Sequence, residues 1–547
     1  MKTIKIKHLA FLTLAFVANT ADAQINDTLI IDYNNVSALI NDGGYMFQNA
    51  LNGTAGYEVP KGSGNNSIYV MAGWFGAMDS NAQLKVSFNK FDSDQIFAGP
   101  MADSIHYNSP TYLNQYDKSI WKVTELEIQD HIANYNQVGY VTPQSILDWP
   151  GNGDISIGVA SELAPYVDVN GDLQYNPSDG DYPEIRGDEA VYVIMNDHYS
   201  DSTLTNYSMG IEIHLMVYQY LNGTFLDNAT FLNYRVYNRS GVDYYDYRQA
   251  LYADMDIGNY GDDFVGCDTL NHVGYTYNGD NFDEGVGGSP GYGANPPCQG
   301  MVCLSHDMSG FTYYTNSASY PYTDPNSQLE CWNFMNGLWG NGSELVYGGA
   351  GYVGSAGATI NPTNYAFSGF PGDSTGWSEF YPGSGASNPT GDRRGVMMIE
   401  EDNFLNNTSI CSDFALVFDQ SGASNIDNVQ NVIDIAGQLR NDYTAQNGYP
   451  CFSPQFNALN PIDPSVQFNL YPNPSNGSFT VDLPEVEGEV EIEIIDLTGR
   501  LIFSKTYFNT DKIQIDLDES NGMYVLKTKI NSMAKGPSSS AKRLILD

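Results

Sequence analysis

Apolar residues in this chain fall in short runs with a period of two. Leu84, Val86 and Phe88 alternate with Lys85, Ser87 and Asn89. AVYVIM (190–195), GIEIHLMVYQY (210–220) and ATFLNYRVYN (229–238) are rich in β-branched and aromatic side chains and are spaced for antiparallel pairing. Such runs bury their apolar face only by pairing with neighbours of their own kind. Helical periods are scarce. Thr124 and Glu127 form a capping box that predicts a short helix to about residue 133. Ile426, Val429, Val432, Ile433, Ala436, Leu439 and Tyr443 keep helical spacing after Ser424 and predict a helix docked on a sheet. Gly-rich tracts at 285–300 and 341–392 read as long loops. With 42% hydrophobic residues and 40 Tyr, the chain can bury a sizeable core. The fold class is mainly β: an antiparallel β-sandwich-rich main region with few short helices, and a small immunoglobulin-like β-sandwich at the C-terminal end.

That last unit is legible in FNLYPNPSNGSFTVDL (468–483), EVEIEIIDLTGRLIFSKTY (489–507) and IQIDLDESNGMYVLKTKI (513–530). Val490, Ile492 and Ile494 alternate with Glu491 and Glu493, and turns fall at 473–477, Thr498-Gly499 and Asn521-Gly522. The segment resembles the type A C-terminal sorting domain of the type IX secretion system. The residues that carry the likeness are Tyr471-Pro472-Asn473-Pro474, Gly477, the turn Asp496 to Gly499, and Gly522-Met523-Tyr524. The insertion NSMAKGPSSSA before the closing KRLILD departs from that family's pattern. The resemblance implies that residues 464–547 engage the type IX secretion machinery. Export across the inner membrane would come first, then passage to the outer cell surface or the exterior.

The amino-terminal end agrees with that route. Lys2, Lys5 and Lys7 precede the stretch LAFLTLAFVA, and Ala21-Asp22-Ala23 offers a cleavage site before Gln24. This pattern is a signal peptide over 1–23. No later run is long and apolar enough for a transmembrane helix. The expected organisation is therefore 1–23 signal peptide, 24–463 secreted β-rich region and 464–547 sorting sandwich, with FNALNPIDPS (456–465) as linker. YEVPKGSG (57–64), DWPGNGD (148–154), the stretch from VDVNGD through GDYPEIRGDEA (167–190), DDFVGCDTLN (262–271) and GDRRG (391–395) resemble a recurring class of secreted proteins that carry the same sorting domain. That resemblance implies one continuous unit and says nothing of activity. Six Cys, at 267, 298, 303, 331, 411 and 451, are an even number in an exported chain and favour disulfides, with Cys298 and Cys303 close enough to close a small loop.

A net charge of -42 sets the class of partner. Phosphate backbones and anionic membrane surfaces are repelled, so nucleic acid is excluded, and cations are attracted. The stretch VDVNGDLQYNPSDGDYPEIRGD (167–188) crowds carboxylates in a way that calls for water or a cation. Counted from Asp168, positions 1, 3, 5, 7, 9 and 12 are Asp168, Asn170, Asp172, Gln174, Asn176 and Asp179, the ligand spacing of an EF-hand-type calcium loop. DVNGD closing on Asp179 is similar to the calcium loops of dockerin modules. Leu173 stands where such loops carry Gly, and the alternative is a solvated acidic turn. A second cluster brings Asp254, Asp256, Asn259, Asp262, Asp263 and Asp268 into fifteen residues. It offers only hard oxygen ligands, which suit Ca²⁺ and not Zn²⁺, although its spacing matches no standard loop.

No residue is assigned a catalytic role. Ser289 and Ser374 each sit in a G-x-S-x-G match, but in Gly-rich loops rather than between a strand and a helix. His198 and His214 lie in or beside strands and read as packed or surface residues. Arg186-Gly187-Asp188 spells an adhesion tripeptide that would need an exposed loop tip. The expected function is that of a calcium-stabilised surface protein, structural, adhesive or binding a glycan or other surface ligand. The alternative is a secreted hydrolase acting on polysaccharide or protein, which would need two carboxylates across a cleft.

Overall fold

The computed structural model describes residues 27–91, 95–107, 109–116, 118–197, 208–316, 318–383, 386–445, 468–473, 475–483, 488–496, 501–510, 512–517, 520, 522–532 and 536–546. The signal-peptide stretch 1–23, His198, Cys451, the linker 456–465, Pro474, the turn 497–499 and Asn521 lie outside the described residues.

The period-two runs become strands, and each finds an antiparallel partner. In chain order the principal ones are β1 (Val70–Asp79), β2 (Glu189–Asn196), β3 (Ile211–Gln219), β4 (Ala229–Asn238), β5 (Tyr244–Asp254), β6 (Asp263–Asp268), β7 (Val273–Asn278), β8 (Cys298–Cys303), β9 (Gly310–Thr315), β10 (Arg393–Phe404) and β11 (Ser409–Asp419). The order β9-β10-β5-β1 continues through short amino-terminal strands into a ten-stranded sheet, with Leu84–Phe88 also paired to β1. The order β2-β3-β4-β11-β8-β7-β6 forms the body of a nine-stranded sheet.

Alternation explains why β2 and β3 read as almost continuously apolar. Val191, Val193 and Met195 point into the core between the two sheets, against Trp74, Leu251 and Phe75. Ala190, Tyr192 and Ile194 point the other way, into a second core. The nine-stranded sheet is thus buried on both faces, and the molecule has a third layer where a plain sandwich has two. That layer is built from residues between about 100 and 185 and from two helices. The first, α1 (Glu125–Asn134), begins with the expected capping box: Glu127 N–H donates to Thr124 Oγ1, and the Glu127 carboxylate accepts from Thr124 N–H. The second, α2 (Asn425–Ala445), runs 21 residues and covers the stretch from Ile426 to Tyr443 that its spacing implied. Val429, Val432, Ala436 and Tyr443 are buried against the sheet, so its apolar face is satisfied along its whole length. Gly300 in β8 permits the docking, because a Cβ there would sit 2.6 Å from Val432 Cγ1.

The segment 341–392 is irregular, as its glycines imply, yet it is packed: Leu345, Val346, Phe367 and Trp377 are all buried. The disulfide expectation is corrected for four of the six cysteines. Cys267, Cys298, Cys303 and Cys331 are buried free thiols. Cys298 and Cys303 stand at opposite ends of β8, and an odd separation in a strand sends them to different cores, Cys298 toward the helical layer and Cys303 between the sheets.

At the C-terminal end, strands 469–471, 478–482 and 512–516 form one sheet, and 488–496, 501–508, 522–532 and 536–546 form another. Phe479, Val490, Ile492, Ile494 and Ile515 share the core between them. Much of the NSMAKGPSSSA insertion joins the last strand, which pairs antiparallel with 522–532.

Candidate metal centre

The ladder between β5 and β10 sets Asp254 directly opposite Arg394. Asp254 closes β5, Asp256 follows two residues later, and Asp392 lies one residue before β10. One strand end and the start of its neighbour therefore deliver three carboxylates to one place. Their oxygens lie within 4.8 Å of one another. Arg394 donates from Nη2 to Asp254 Oδ2 at 2.9 Å and from Nη1 to Asp392 Oδ1. Asn316 Nδ2 donates to Asp392 Oδ2 at 2.6 Å.

The guanidinium leaves the cluster short of donors. Asp254 is 1% exposed, and its Oδ1 has no hydrogen-bond partner among the described residues. The same holds for the buried Oδ1 of Asp256 and for Oδ1 of Asp324. Burial pushes the Asp254 carboxyl up to about 7 against the pull of Arg394, and the charges of Asp392 and Asp324 push the same way. Asp256 is pushed far above the usual carboxylate range, first by burial and then by Asp254 and Asp392. Asp392 is raised too, again chiefly by burial. Buried acceptors without donors are costly, and a cation is the partner that satisfies several of them together. The donor set is all oxygen, the chemistry of Ca²⁺ rather than of Zn²⁺.

The other members of the sequence cluster lie outside this three-carboxylate group. Asp263 Oδ2 accepts from Ile257 N–H at 2.9 Å, while its buried Oδ1 has no partner among the described residues. Asp262 accepts from Asn259 Nδ2 at 3.1 Å. Asp268 accepts from Asn271 N–H at 2.7 Å, capping a turn. Asp392 and Asp324 escape any reading by spacing, since they lie 138 and 70 residues from Asp254. The only signal for Asp392 was its place in the GDRRG match.

The loop 168–179 is ordered by its own side chains. Asp168 Oδ1 accepts from Gly171 N–H at 2.7 Å and Oδ2 from Leu173 N–H at 2.7 Å. These backbone donors, Leu173 foremost, hold the Asp168 carboxyl below its ordinary range. Asn170 Oδ1 accepts from Asp172 N–H, and Asp172 Oδ1 from Gln174 N–H. Asn176 Nδ2 donates to Asp179 Oδ2 at 2.6 Å. Leu173 accepts the positive φ of 64° that a glycine would take without strain. Among the described residues, Asp168, Asp172 and Asp179 are not drawn into a three-carboxylate group like that at Asp254. The pivot of the loop is Asp181, which the spacing passed over. It is fully buried and accepts from Val169 N–H and Asn176 N–H, both at 2.8 Å.

Other motifs resolve as structure. Arg186 is buried, and its Nη1 pairs with Asp413 Oδ1 at 2.6 Å, so the tripeptide 186–188 is not an exposed tip. His214 is buried between Glu212 (Nε2 to Oε1, 3.0 Å) and Tyr192 (Nδ1 to the hydroxyl, 2.8 Å). Ser289 donates to Asn65 Oδ1 from a glycine turn, and Ser374 is exposed in another. Neither joins a strand to a helix.

Residues 469–545 match the family model described as the secretion system C-terminal sorting domain. The match supports export by the type IX secretion system to the cell surface or the extracellular space, through interaction with that machinery. Among the described residues no helix is long and apolar enough to cross a membrane. No curated protein matches the chain. Three solved structures are similar in part. CopC from Methylosinus trichosporium OB3b is 18% identical over 15% of this chain and 93% of its own, with a TM-score of 0.13. A polysaccharide lyase is 8% identical over 61% and 34%, with a TM-score of 0.18. Dimeric latent PorU from Porphyromonas gingivalis is 13% identical over 65% and 31%, with a TM-score of 0.14. The alignments span about a third of the last two proteins, and scores this low say nothing of activity.

Proposed function

We propose that this chain is an exported surface or extracellular protein whose β-rich body is clamped by calcium and serves as a structural or ligand-binding component. The observation that carries the reading is the Asp254, Asp256 and Asp392 group, with its buried oxygens left without donors. A divalent ion there would tie the end of β5 to the start of β10. It would also tie both to Asp324, in the long excursion between β9 and β10. Ca²⁺ tolerates the irregular oxygen geometry such a meeting of distant segments provides. The loop 168–179 is a second, weaker candidate. Its side chains already satisfy one another, so an ion there replaces hydrogen bonds and does not fill a deficit.

Metal analysis of chelator-stripped, calcium-reloaded protein, with thermal unfolding in both states, tests this. One bound calcium per chain and a higher melting temperature are expected, and both should be lost in Asp256→Asn. Protein that reloads no calcium and melts identically in both states would end the proposal.

A further inference from the structure

The outer face of the nine-stranded sheet packs against the third layer. There a cleft of about 430 Å³ opens between the sheet and the 162–186 segment, within the range of about 300–1,000 Å³ usual for small-molecule sites. Its floor is a block of neighbouring strand residues: Tyr192 on β2, His214 on β3, and Asn233, Arg235 and Tyr237 on β4. Register places His214 opposite Arg235, and Met216 between Tyr192 and Asn233. The same face elsewhere carries Ala190, Ile194, Phe231 and Val417, so polar residues are concentrated at the cleft. Tyr166 and Glu184 stand in the wall, and Asp168 and Leu173 of the acidic loop form part of the lining.

The floor is held rigid. His214 bridges Glu212 and Tyr192, and Glu212 also accepts from Arg239 Nη2 and Met101 N–H, both at 2.7 Å. Glu184 differs from these saturated groups. Its side chain has no hydrogen-bond partner among the described residues. Burial raises its carboxyl to about 7 against the pull of Arg186 and Arg235. A half-buried carboxyl beside arginines and tyrosines, facing open space, is placed to meet a ligand hydroxyl.

We infer that this cleft binds an uncharged saccharide of one or two rings. Glu184 supplies an acceptor, Arg235 and the tyrosine hydroxyls supply donors, and Tyr166 and Tyr237 supply aromatic surface for C–H faces. A chain carrying -42 disfavours an anionic ligand, and the polar floor disfavours a lipid. The inference rests on the ligand-binding form of the function proposed above and gives it a location.

Calorimetric titration of the calcium-loaded full chain with cellobiose, maltose, xylobiose, mannobiose and chitobiose, each to about 10 mM, tests it. At least one is expected to bind saturably. Glu184→Gln and Tyr237→Ala, each checked for an unchanged melting temperature, should both weaken that binding, the first about tenfold or more through loss of a hydrogen bond to a charged group and the second through loss of aromatic contact surface. The inference is overturned by no saturable binding across the five sugars, by binding untouched in both variants, or by preference for glucuronic acid. Protein that holds calcium and melts as proposed but binds no sugar overturns this inference alone.

Discussion

Taking the metal-free protein from pH 5 to pH 8 should lower its stability more than the same change in calcium-loaded protein. Burial raises the Asp254 carboxyl from the 3.8 of an exposed carboxylate to about 7 in the fold. Between those values the native state holds a proton that the unfolded state has released, so stability falls as pH rises. Holding that proton costs about 1.4 kcal/mol for every pH unit crossed, so the two units between pH 5 and 7 cost roughly 3 kcal/mol. At about 2.1 cal/mol/K per residue over roughly 440 residues, that is a fall of about 3 °C in melting temperature. Asp256 is raised further and adds in the same direction. Asp42 and Glu184 are raised to about 7 and Asp262 to about 6, chiefly by burial, so they tilt both curves alike. The informative quantity is the difference between the curves. Calcium keeps Asp254 and Asp256 deprotonated across the window and removes their contribution. The assay is scanning fluorimetry at half-unit steps on stripped and reloaded protein, with Asp256→Asn as control. Parallel curves from pH 5 to 8, with metal analysis confirming calcium in one sample, would refute the assignment of the ion to this cluster.

Three further outcomes follow from the packing. Arg186→Met leaves Asp413 buried with one charged partner fewer; the cost is expected at about 3–5 kcal/mol, read as a melting temperature lower by about 4 °C. Cys267, Cys298, Cys303 and Cys331 should stay silent to a thiol reagent in native protein and titrate together in guanidinium, and early reaction of any of them would contradict their burial. Deleting 464–547 should retain the protein in the periplasm, and cell fractionation that still finds it outside would show that export does not depend on this domain.

The strands were legible because alternation is a local signal that survives in tertiary context. AVYVIM, GIEIHLMVYQY and ATFLNYRVYN all became central strands, and Thr124 capped the helix its spacing implied. The third layer was not legible. The inner face of β2 and its outer face look equally apolar in sequence, and nothing local says which lid covers each. The cysteines misled for a related reason: five residues apart is near in a loop but about 17 Å apart along a strand. The Gly-rich tract 341–392 showed its irregularity and hid its packing. Trp377 and Phe367 are anchored in the core although no periodic pattern surrounds them.

The acid centre was half legible, and the missing half decides its charge. From sequence, Asp254 and Asp256 belonged with Asp262, Asp263 and Asp268. In the fold Asp263, at the start of β6, stays near enough to feel the charge of Asp256 but is outside the three-carboxylate group, while the β5–β10 ladder brings Asp392 in from 138 residues downstream. The same ladder supplies Arg394 and explains why it is not enough. Arg393, the adjacent cation, faces the other side of β10, where Nε and Nη2 bind Glu379 Oε1 at 3.2 and 3.1 Å. Strand geometry cannot turn both arginines to one side. Three carboxylates and one guanidinium leave two negative charges, before Asp324 is counted, in a place where burial makes each expensive. Protons relieve that charge at low pH, and a divalent cation relieves it where the carboxylates are ionised. That is why stability at this centre should depend on calcium and on pH in opposite senses.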